Sequence, residues 1–371
     1  MCKTVNKWTS RNKMLQKIKK PILQAIKKEK TSTVPLWLMR QAGRHLPEYR
    51  EVRSSTNNFL DFCYNPVLAS KVTLQPVSRY GVDAAILFSD ILVIPHALGQ
   101  NVSFVSGSGP VLEPITNINE IKKLNIKNIN VKLSNIYKTV STVKKAINNN
   151  FKTTTLIGFA GSPWTVATYV IEGGSSKDYI NTKSWSYSSP KEFSLLIDIL
   201  VDATVEYLVQ QIEHGVEVIQ LFDSWAGVLS ESQFTNWVIE PTKIIIDTVR
   251  KKHPNIPIIG FPRGAGILYK NFVAETGVDC ISIDSSVPIK WAAKHLQSEC
   301  AVQGNLDNLS LLLGNENTDN EVIKILNGLS NGPFIFNLGH GILPTTPIKN
   351  VNRLIKLVKG FKIEKKSNHI I

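Results

Sequence analysis

Eight short apolar runs separated by helix-like segments constrain the fold of this chain more than any other feature. The runs occupy residues 34–38, 84–89, 155–160, 217–222, 256–261, 280–284, 300–304 and 334–338. Helical 3.6-residue spacing is clear at 194–215, which ends at a glycine, and at 241–253. Strand then helix, repeated eight times, predicts an α/β protein with a single-domain (β/α)8 TIM-type barrel. A doubly wound open sheet is the competing prediction, because period alone does not separate a short buried strand from buried helix.

Reactive residue types follow directly after the predicted strands. They are Arg40, Ser89, Asp90, residues 161–164, Asp223, Ser224, Arg263, Ser285, Asn305 and residues 339–341. In a closed parallel barrel the carboxyl ends of all strands share one face, where the loops build active sites. The spacing therefore predicts one site assembled from segments that are distant in sequence.

An arginine cluster lies in the loop after the first predicted strand. The chain has nine arginines against 34 lysines, and four of the nine lie within 14 positions: Arg40, Arg44, Arg50 and Arg53. A guanidinium group can hold a carboxylate or phosphate through two parallel hydrogen bonds, which an ammonium group cannot do. The cluster therefore indicates an anionic ligand. The alternative is that these arginines pair with neighbouring acids such as Glu48 and Glu51.

Three further side chains are candidates at the predicted site. Asp90 ends an apolar strand, where a fixed negative charge could bind N–H donors or stabilise a developing cation, although a salt bridge or a helix cap is the alternative. His340 stands between glycines that let a ligand approach the backbone, and a core histidine is the alternative. Tyr169 precedes a Gly/Ser loop, and simple packing is the alternative. Residues 260–266 lack the GK[ST] ending of a phosphate loop and are interpreted as a tight turn.

Composition excludes several classes of protein. The 371 residues carry a net charge of +14, but the lysines are dispersed rather than interleaved with aromatic residues, so we expect no nucleic-acid partner. No apolar run approaches the ~20 residues of a membrane span. The four cysteines (Cys2, Cys63, Cys280 and Cys300) are far apart, so neither a disulfide framework nor a metal site is indicated, and a cytoplasmic location is expected. The first 28 residues hold nine basic and no acidic groups, which predicts a short basic extension, with an organelle transit segment as the alternative.

Two long motifs resemble the signature segments of the uroporphyrinogen decarboxylase family. They are PLWLMRQAGRHLPEYR at 35–50 and GFAGSPWT at 158–165. EGGSS, QLFDSWAG, GFPRGAG and NLGHGILPTTP are similar to that family's pattern in the same order, so the resemblance covers roughly residues 20–360. We accordingly expect a basic extension at 1–17, the barrel domain at 18–365 and a tail at 366–371.

The resemblance implies a function as well as a fold. Family members are (β/α)8 barrels, usually homodimers, that convert the four acetate groups of uroporphyrinogen III to methyl groups with loss of CO2, without cofactor or metal. The substrate is a small molecule with eight carboxylates. The implied substrate-binding residues are Arg40, Gln41, Ala42, Gly43, Arg44, Arg53, Asp90, Tyr169, Ser224 and His340. Asp90 is also the implied catalytic residue, which accepts hydrogen bonds from the pyrrole N–H groups.

One residue departs from the family pattern, and two alternatives stay open. His45 stands where the family commonly has an aromatic residue such as tyrosine. Zinc-dependent methyltransferases share the barrel but need a late His/Cys set, and no HxC pair occurs here. A basic binding module would instead show salt-sensitive binding without turnover. The proton donor for decarboxylation is left open between an arginine, a water molecule and a substrate carboxyl group.

Overall fold

A parallel sheet forms the centre of the protein. The computed structural model describes residues 18–105 and 109–363, so the predicted extension 1–17, the tail 366–371 and Cys2 lie outside the described residues. The strands are β1 (Ala84–Ile86), β2 (Val102–Val105), β3 (Gly109–Leu112), β4 (Thr155–Gly161), β5 (Val218–Asp223), β6 (Ile258–Pro262), β7 (Cys280–Ser282), β8 (Ala301–Leu306) and β9 (Phe334–Leu338). Seven strands form one curled parallel sheet in the order β1-β4-β5-β6-β7-β8-β9. Each of the seven overlaps a predicted strand, whereas the antiparallel pair β2 and β3 was not predicted.

Helices connect these strands. They are α1 (Pro21–Ile26), α2 (Pro47–Ser54), α3 (Phe59–Cys63), α4 (Pro66–Tyr80), α5 (Val93–Leu98), α6 (Ile118–Ile121), α7 (Ile129–Lys132), α8 (Ser134–Asn150), α9 (Pro163–Glu172), α10 (Ile180–Ser188), α11 (Pro190–Glu213), α12 (Glu231–Phe234), α13 (Glu240–Lys252), α14 (Tyr269–Thr276), α15 (Ile289–His295), α16 (Asn308–Leu313), α17 (Glu316–Leu329) and α18 (Ile348–Gly360). Short 3-10 turns lie at Ala226–Val228 and Gly266–Leu268, and a π turn lies at Thr235–Ile239. The helical spacing at 194–215 and 241–253 is confirmed by α11 and α13.

Local sequence explains where these helices begin and end. The side chain of Asn65 accepts hydrogen bonds from the N–H groups of Val67 and Leu68, and Pro66 occupies the first turn of α4. Gly81 ends the helix with a φ of 60°, a left-handed conformation that glycine adopts without steric cost.

The first predicted strand, at 34–38, is wrong as a regular strand. Leu36 makes one isolated parallel bridge to Phe336 of β9. Its carbonyl oxygen accepts a hydrogen bond from the N–H of Asp83, just before β1, at 2.9 Å. The segment therefore lies between the two edge strands of the sheet and contacts both.

The backbone donors of this segment explain why no continuous ladder forms. Pro35 has no N–H group. The N–H of Leu36 donates to the Asp83 carboxylate at 2.9 Å, and the N–H of Leu38 donates to the Gln41 side chain at 3.1 Å. Because side chains take these donors, the apolar run is buried like a strand but is not paired like one.

The two faces of the sheet belong to different cores. The outer face packs against the surrounding helices in the larger cluster. Alternate strand residues such as Ile157, Val218 and Ile259 point to the inner face, where they pack with Ile22 and Ala25 of α1. A short helix near the start of the chain therefore fills one end of the curled sheet.

The position of α1 is fixed by two lysines that flank it. Lys20 Nζ donates to Glu217 at 2.7 Å, and Lys28 Nζ donates to the carbonyl of Glu299 at 2.8 Å. Glu217 directly precedes β5, and Glu299 lies two residues before β8. Because both partners precede strands, α1 covers the amino-terminal end of the sheet, and the opposite end is available for a site.

Two further properties concern the described ranges as a whole. Cys63, Cys280 and Cys300 are buried free thiols. Within residues 18–105 and 109–363, no helix is both long enough and apolar enough to cross a membrane.

Candidate active site

The carboxyl ends of the strands bring most of the predicted site residues together. Asp90 follows β1, Ser224 follows β5 and His340 follows β9. Arg40 follows the bridge segment, and its charge acts on the ionisation of both Asp90 and His340. Arg40, Asp90 and His340, which are separated by up to 300 positions, therefore share one electrostatic environment.

The arginine loop has a tightly fixed backbone at Arg40. This residue has a φ of 58°, which is uncommon for a side-chain-bearing residue, and it is exposed. A side chain at Gly341 would lie 2.7 Å from Arg40 Cγ, so the absence of a Cβ there makes room for the arginine. A Cβ at Gly43 would lie 2.9 Å from the Arg40 carbonyl oxygen. The absence of a side chain at both glycines thus leaves room for the backbone and side chain of Arg40.

Gln41 holds this loop from below. Its side chain is buried, accepts the N–H of Leu38 at 3.1 Å and donates to the carbonyl of Ala84 in β1 at 2.9 Å. Ala42 beside it is half-buried. Both ends of the Gln41 side chain therefore hold the loop against the start of β1.

The four clustered arginines divide into two pairs. Arg50 donates to the carbonyl of Arg44 at 2.7 Å, and Arg53 donates to the carbonyl and hydroxyl of Thr56 at 3.0 and 2.8 Å. By contrast, the guanidinium groups of Arg40 and Arg44 have no hydrogen bond or ion pair with any residue in 18–105 or 109–363, and both side chains are exposed. The predicted pairing with Glu48 or Glu51 does not occur among these residues, since Glu48 pairs with Arg79.

Asp90 presents a carboxylate to the same region. Its Oδ1 accepts the N–H of Leu92 at 2.9 Å, so part of the group caps the following turn. Burial raises its pKa, while the Leu92 N–H and the charge of Arg40 oppose the rise. Within the described ranges, Oδ2 accepts no hydrogen bond and can receive N–H donors from a ligand.

Three aromatic rings pack together near the strand ends, and one of them, Tyr169, is close enough for the Asp90 carboxylate to act on its ionisation. The Tyr169 ring lies 6.4 Å from Trp225, and Tyr179 lies 5.6 Å from the same indole, measured between centroids. Burial raises the pKa of Tyr169 and the Asp90 carboxylate adds to the rise, while a hydrogen bond with the Trp225 side chain and the charge of Arg40 oppose it. Tyr169 is therefore a neutral hydroxyl at physiological pH. Tyr179 and Trp225 were not predicted, and no spacing signal distinguishes them from packing aromatics.

Ser224 is positioned by a buried hydrogen-bond network around Asp223. The Thr165 hydroxyl donates to Asp223 Oδ1 at 2.5 Å and accepts the N–H of Trp225 at 3.1 Å. The Trp164 indole donates to the carbonyl of Trp225 at 3.0 Å. Ser224 thus lies between two residues that α9 holds in place. Burial raises the pKa of Asp223 to about 7, and its Oδ2 is buried without a partner in the described chain.

His340 is half-buried in the loop after β9. Burial, with the charges of Arg263 and Arg40, lowers its pKa to about 4, and Asp284 opposes the shift. The ring is therefore neutral at pH 7 and can donate one hydrogen bond and accept another.

His45, the departure from the family pattern, lies away from these groups. Its ring is buried and stacks on Tyr80 of α4, with centroids 6.3 Å apart and planes inclined by 7°. Burial lowers its pKa to about 4. The substitution therefore alters the packing between the arginine loop and α4 rather than the set of charges at the strand ends.

No group of three or more His, Cys, Asp or Glu side chains with metal-binding geometry occurs in residues 18–105 and 109–363. The hydrogen-bonding groups at the strand ends are arginines, a carboxylate, a neutral imidazole and tyrosine hydroxyls. Such a set recognises a molecule that carries both anionic groups and N–H donors.

Fold and site together define an α/β protein that gathers arginines, a carboxylate, an imidazole and tyrosines at the carboxyl ends of its parallel strands. A family model for uroporphyrinogen decarboxylase matches residues 17–361. A uroporphyrinogen decarboxylase from Rhodospirillum rubrum is 53% identical over 93% of this chain and 98% of its own length. One from Chelativorans sp. is 48% identical over 91% of this chain and 97% of its own length. The chain belongs to the uroporphyrinogen decarboxylase family.

A solved structure supports the fold separately. A methyltransferase from Methanosarcina mazei superposes with a TM-score of 0.76 over 93% of this chain and 98% of its own, at 18% identity. At that identity the similarity concerns the fold alone.

Proposed function

We propose that this protein is a carboxy-lyase of porphyrin and haem biosynthesis that converts uroporphyrinogen III to coproporphyrinogen III by removing four acetate carboxyl groups as CO2. The observation that carries the proposal is the pairing of opposite charges at the strand ends. Among the described residues, the guanidinium groups of Arg40 and Arg44 have no partner, and one carboxylate oxygen of Asp90 accepts no hydrogen bond. A macrocycle with carboxylates at its rim and N–H groups at its centre complements both.

Substrate binding follows from this arrangement. Arg40, Arg44 and Arg53, with the backbone of residues 41–43, would hold carboxylates at the rim of the macrocycle. Each charge-assisted hydrogen bond of this kind contributes about 1.5–3 kcal/mol. The contact of Arg53 with Thr56 uses only one guanidinium nitrogen, so its other donors are available for a carboxylate.

Asp90 would act at the centre of the macrocycle. Protonation of a pyrrole carbon next to an acetate makes the ring cationic, and the ring then accepts the electron pair of the breaking bond to the carboxylate as CO2 leaves. A proton then adds to the remaining side-chain carbon and gives the methyl group, and the ring carbon loses the proton it had gained, which restores the neutral pyrrole. The substrate itself provides the electron sink, so we expect no cofactor or metal. A fixed carboxylate that accepts pyrrole N–H bonds stabilises the cationic ring electrostatically.

The remaining site residues would orient the substrate. The Tyr169 hydroxyl is neutral, as its raised pKa requires, and can donate to a carboxylate. The neutral ring of His340 can do the same without adding charge. Ser224 is fixed between Asp223 and Trp225 and adds a third hydrogen-bond donor, either its hydroxyl group or its backbone N–H.

We propose a closed (β/α)8 barrel, with residues 34–38 as its irregular eighth member and residues 18–365 as one domain. The contacts of Leu36 with Phe336 and with Asp83 support this closure. A cytoplasmic homodimer is proposed on the family resemblance, without nucleic-acid or membrane partners. Sedimentation equilibrium tests the dimer, and a mass of one chain across the working concentration range would refute it.

Anaerobic incubation with uroporphyrinogen III, followed by oxidation and separation of the porphyrins by carboxyl number, tests the activity. We expect the eight-carboxyl compound to decline, transient compounds with seven, six and five carboxyls, and a four-carboxyl product. Heat-denatured protein is the control. A folded protein that leaves the eight-carboxyl compound unchanged would refute the proposed function.

A further inference from the structure

Arg263 follows β6 at the same end of the sheet and has an unusually constrained backbone. Its N–H donates to the carbonyl of Asp223 at 3.0 Å, and its own carbonyl accepts the N–H of Gly227 at 3.0 Å. The next N–H, that of Gly264, donates to Asp284 Oδ2 at 2.8 Å. The turn is therefore held by the ends of β5 and by the loop after β7.

Close packing fixes this turn further. A Cβ on Gly227 would lie 2.6 Å from the carbonyl carbon of Gly264, so the two loops meet without space for a side chain. Gly264 itself has a φ of 79°, where glycine is favoured. The backbone of Arg263 is consequently rigid, and only its side chain has freedom to reach a ligand.

The Arg263 side chain lacks a counterion in the part of the chain that the structure describes. It is half-buried, yet within residues 18–105 and 109–363 it forms neither an ion pair nor a hydrogen bond. The nearby acid, Asp284, is occupied, because it accepts bonds from Gly264, Tyr269 and Ser286. A partly desolvated guanidinium without an anion is unfavourable unless a ligand provides one.

The surroundings of Arg263 place it at the substrate site. Its charge is the strongest of those acting on the ionisation of His340 and lowers the pKa of that ring. It also opposes the burial that raises the pKa of Tyr179 to about 12. Arg263 thus lies near His340, to which the proposed function gives a role in substrate binding, and it belongs to a loop that is distant in sequence from the Arg40 loop.

We propose that Arg263 binds a carboxylate of the substrate, as a further anion-binding residue beside His340 and Tyr179. The inference rests on the proposed function, since it takes the tetrapyrrole as the ligand. The carboxylate is either an acetate that is removed or one of the four carboxylates that the product retains. Arg263 would therefore help to set which face and rotation of the macrocycle is bound.

The test compares Arg263→Gln and Arg263→Lys with the wild-type protein, measuring KM and kcat for uroporphyrinogen III and the inhibition constant of coproporphyrinogen III. Arg353→Gln is the matched control, because Arg353 is exposed on α18 and pairs with Asp319. Loss of one charge-assisted carboxylate contact should weaken binding about 10- to 100-fold in the glutamine variant, and lysine should restore part of it. The control should match the wild-type protein.

The outcomes separate the two proposals. Weaker binding of substrate alone assigns an acetate to Arg263, and weaker binding of substrate and product assigns a retained carboxylate. An active wild-type protein with unchanged constants in Arg263→Gln overturns this inference and leaves the function standing. If both variants fail to fold by circular dichroism, the guanidinium is structural and the inference is also overturned. An inactive, folded wild-type protein refutes the proposed function itself.

Discussion

Replacing Asp223 with asparagine should make the free energy of unfolding fall less steeply as the pH rises from 5 to 8. The folded state raises the pKa of this carboxyl from 3.8 to about 7, because burial opposes ionisation and Oδ2 has no partner in the described chain. Between these two values the unfolded chain releases the proton while the folded chain keeps it. Stability from this group is thus greatest below pH 3.8 and declines until the pH reaches about 7.

The magnitude follows from the displacement of the pKa. At 1.36 kcal/mol per pKa unit, the raised pKa of Asp223 lowers the free energy of unfolding by about 1–2 kcal/mol at pH 5 and by about 4 kcal/mol at pH 8, where the folded carboxyl is ionised as well. Asparagine keeps the acceptor for the Thr165 hydroxyl and has no ionisation. Its extra N–H donors add a penalty of about 1–3 kcal/mol that does not vary with pH. The difference in unfolding free energy between variant and wild type should therefore move by about 3 kcal/mol in favour of the variant from pH 5 to pH 8.

Urea unfolding at one protein concentration, followed by tryptophan fluorescence, measures this difference. Trp225 reports on the region, because its N–H bonds to the Thr165 hydroxyl. Asp247→Asn, on the exposed face of α13, is the control and should show a difference that is constant with pH. An equally constant difference for Asp223→Asn would refute the reasoning, because the carboxyl would then ionise alike in both states.

Three further predictions concern the chemistry. Asp90→Asn should keep its circular dichroism and melting temperature but turn over about 10²–10³-fold more slowly, since it removes the charge that stabilises the cationic ring; near-native turnover would make Asp90 structural. Arg44→Lys keeps the charge but loses the planar fork, so porphyrins with seven, six or five carboxyls should accumulate in a chromatographic assay, whereas Lys27→Arg should change nothing. Exhaustive chelation and dialysis should leave turnover intact, and a requirement for added metal or coenzyme would contradict the proposed mechanism.

The pattern of apolar residues predicted the strands that are continuous apolar runs in the sequence. The run at 155–160 becomes β4, which is buried at every position, because continuous apolar residues suit a sheet covered on both faces. The run at 34–38 is equally apolar but is not a regular strand. The N–H groups of Leu36 and Leu38 are taken by the side chains of Asp83 and Gln41, contacts that hydrophobic periodicity does not reveal.

Some residues of the candidate site were likewise predictable from local sequence, and others were not. Arg40, Asp90 and His340 were identifiable because each reactive side chain directly follows an apolar run. The network at Asp223 depends on Thr165, 58 positions earlier in the chain, and only the packing of α9 against β5 brings them together. Tyr179 is likewise recognised by its contact with Trp225 rather than by its neighbours in sequence.

The position of helix α1 has a consequence for the route by which substrate and products enter and leave the site. Ile22 and Ala25 of this helix pack against the inner face of the sheet at its amino-terminal end. Lys20 and Lys28 donate hydrogen bonds to residues that precede two of the strands. Under the proposed function, the macrocycle, its partly decarboxylated forms and CO2 would therefore enter and leave at the carboxyl ends of the strands. Each intermediate must reorient within the site or dissociate and bind again. The lifetime of the bound intermediate therefore decides how many carboxyl groups are removed in one binding event. Chasing labelled substrate with unlabelled substrate measures that lifetime.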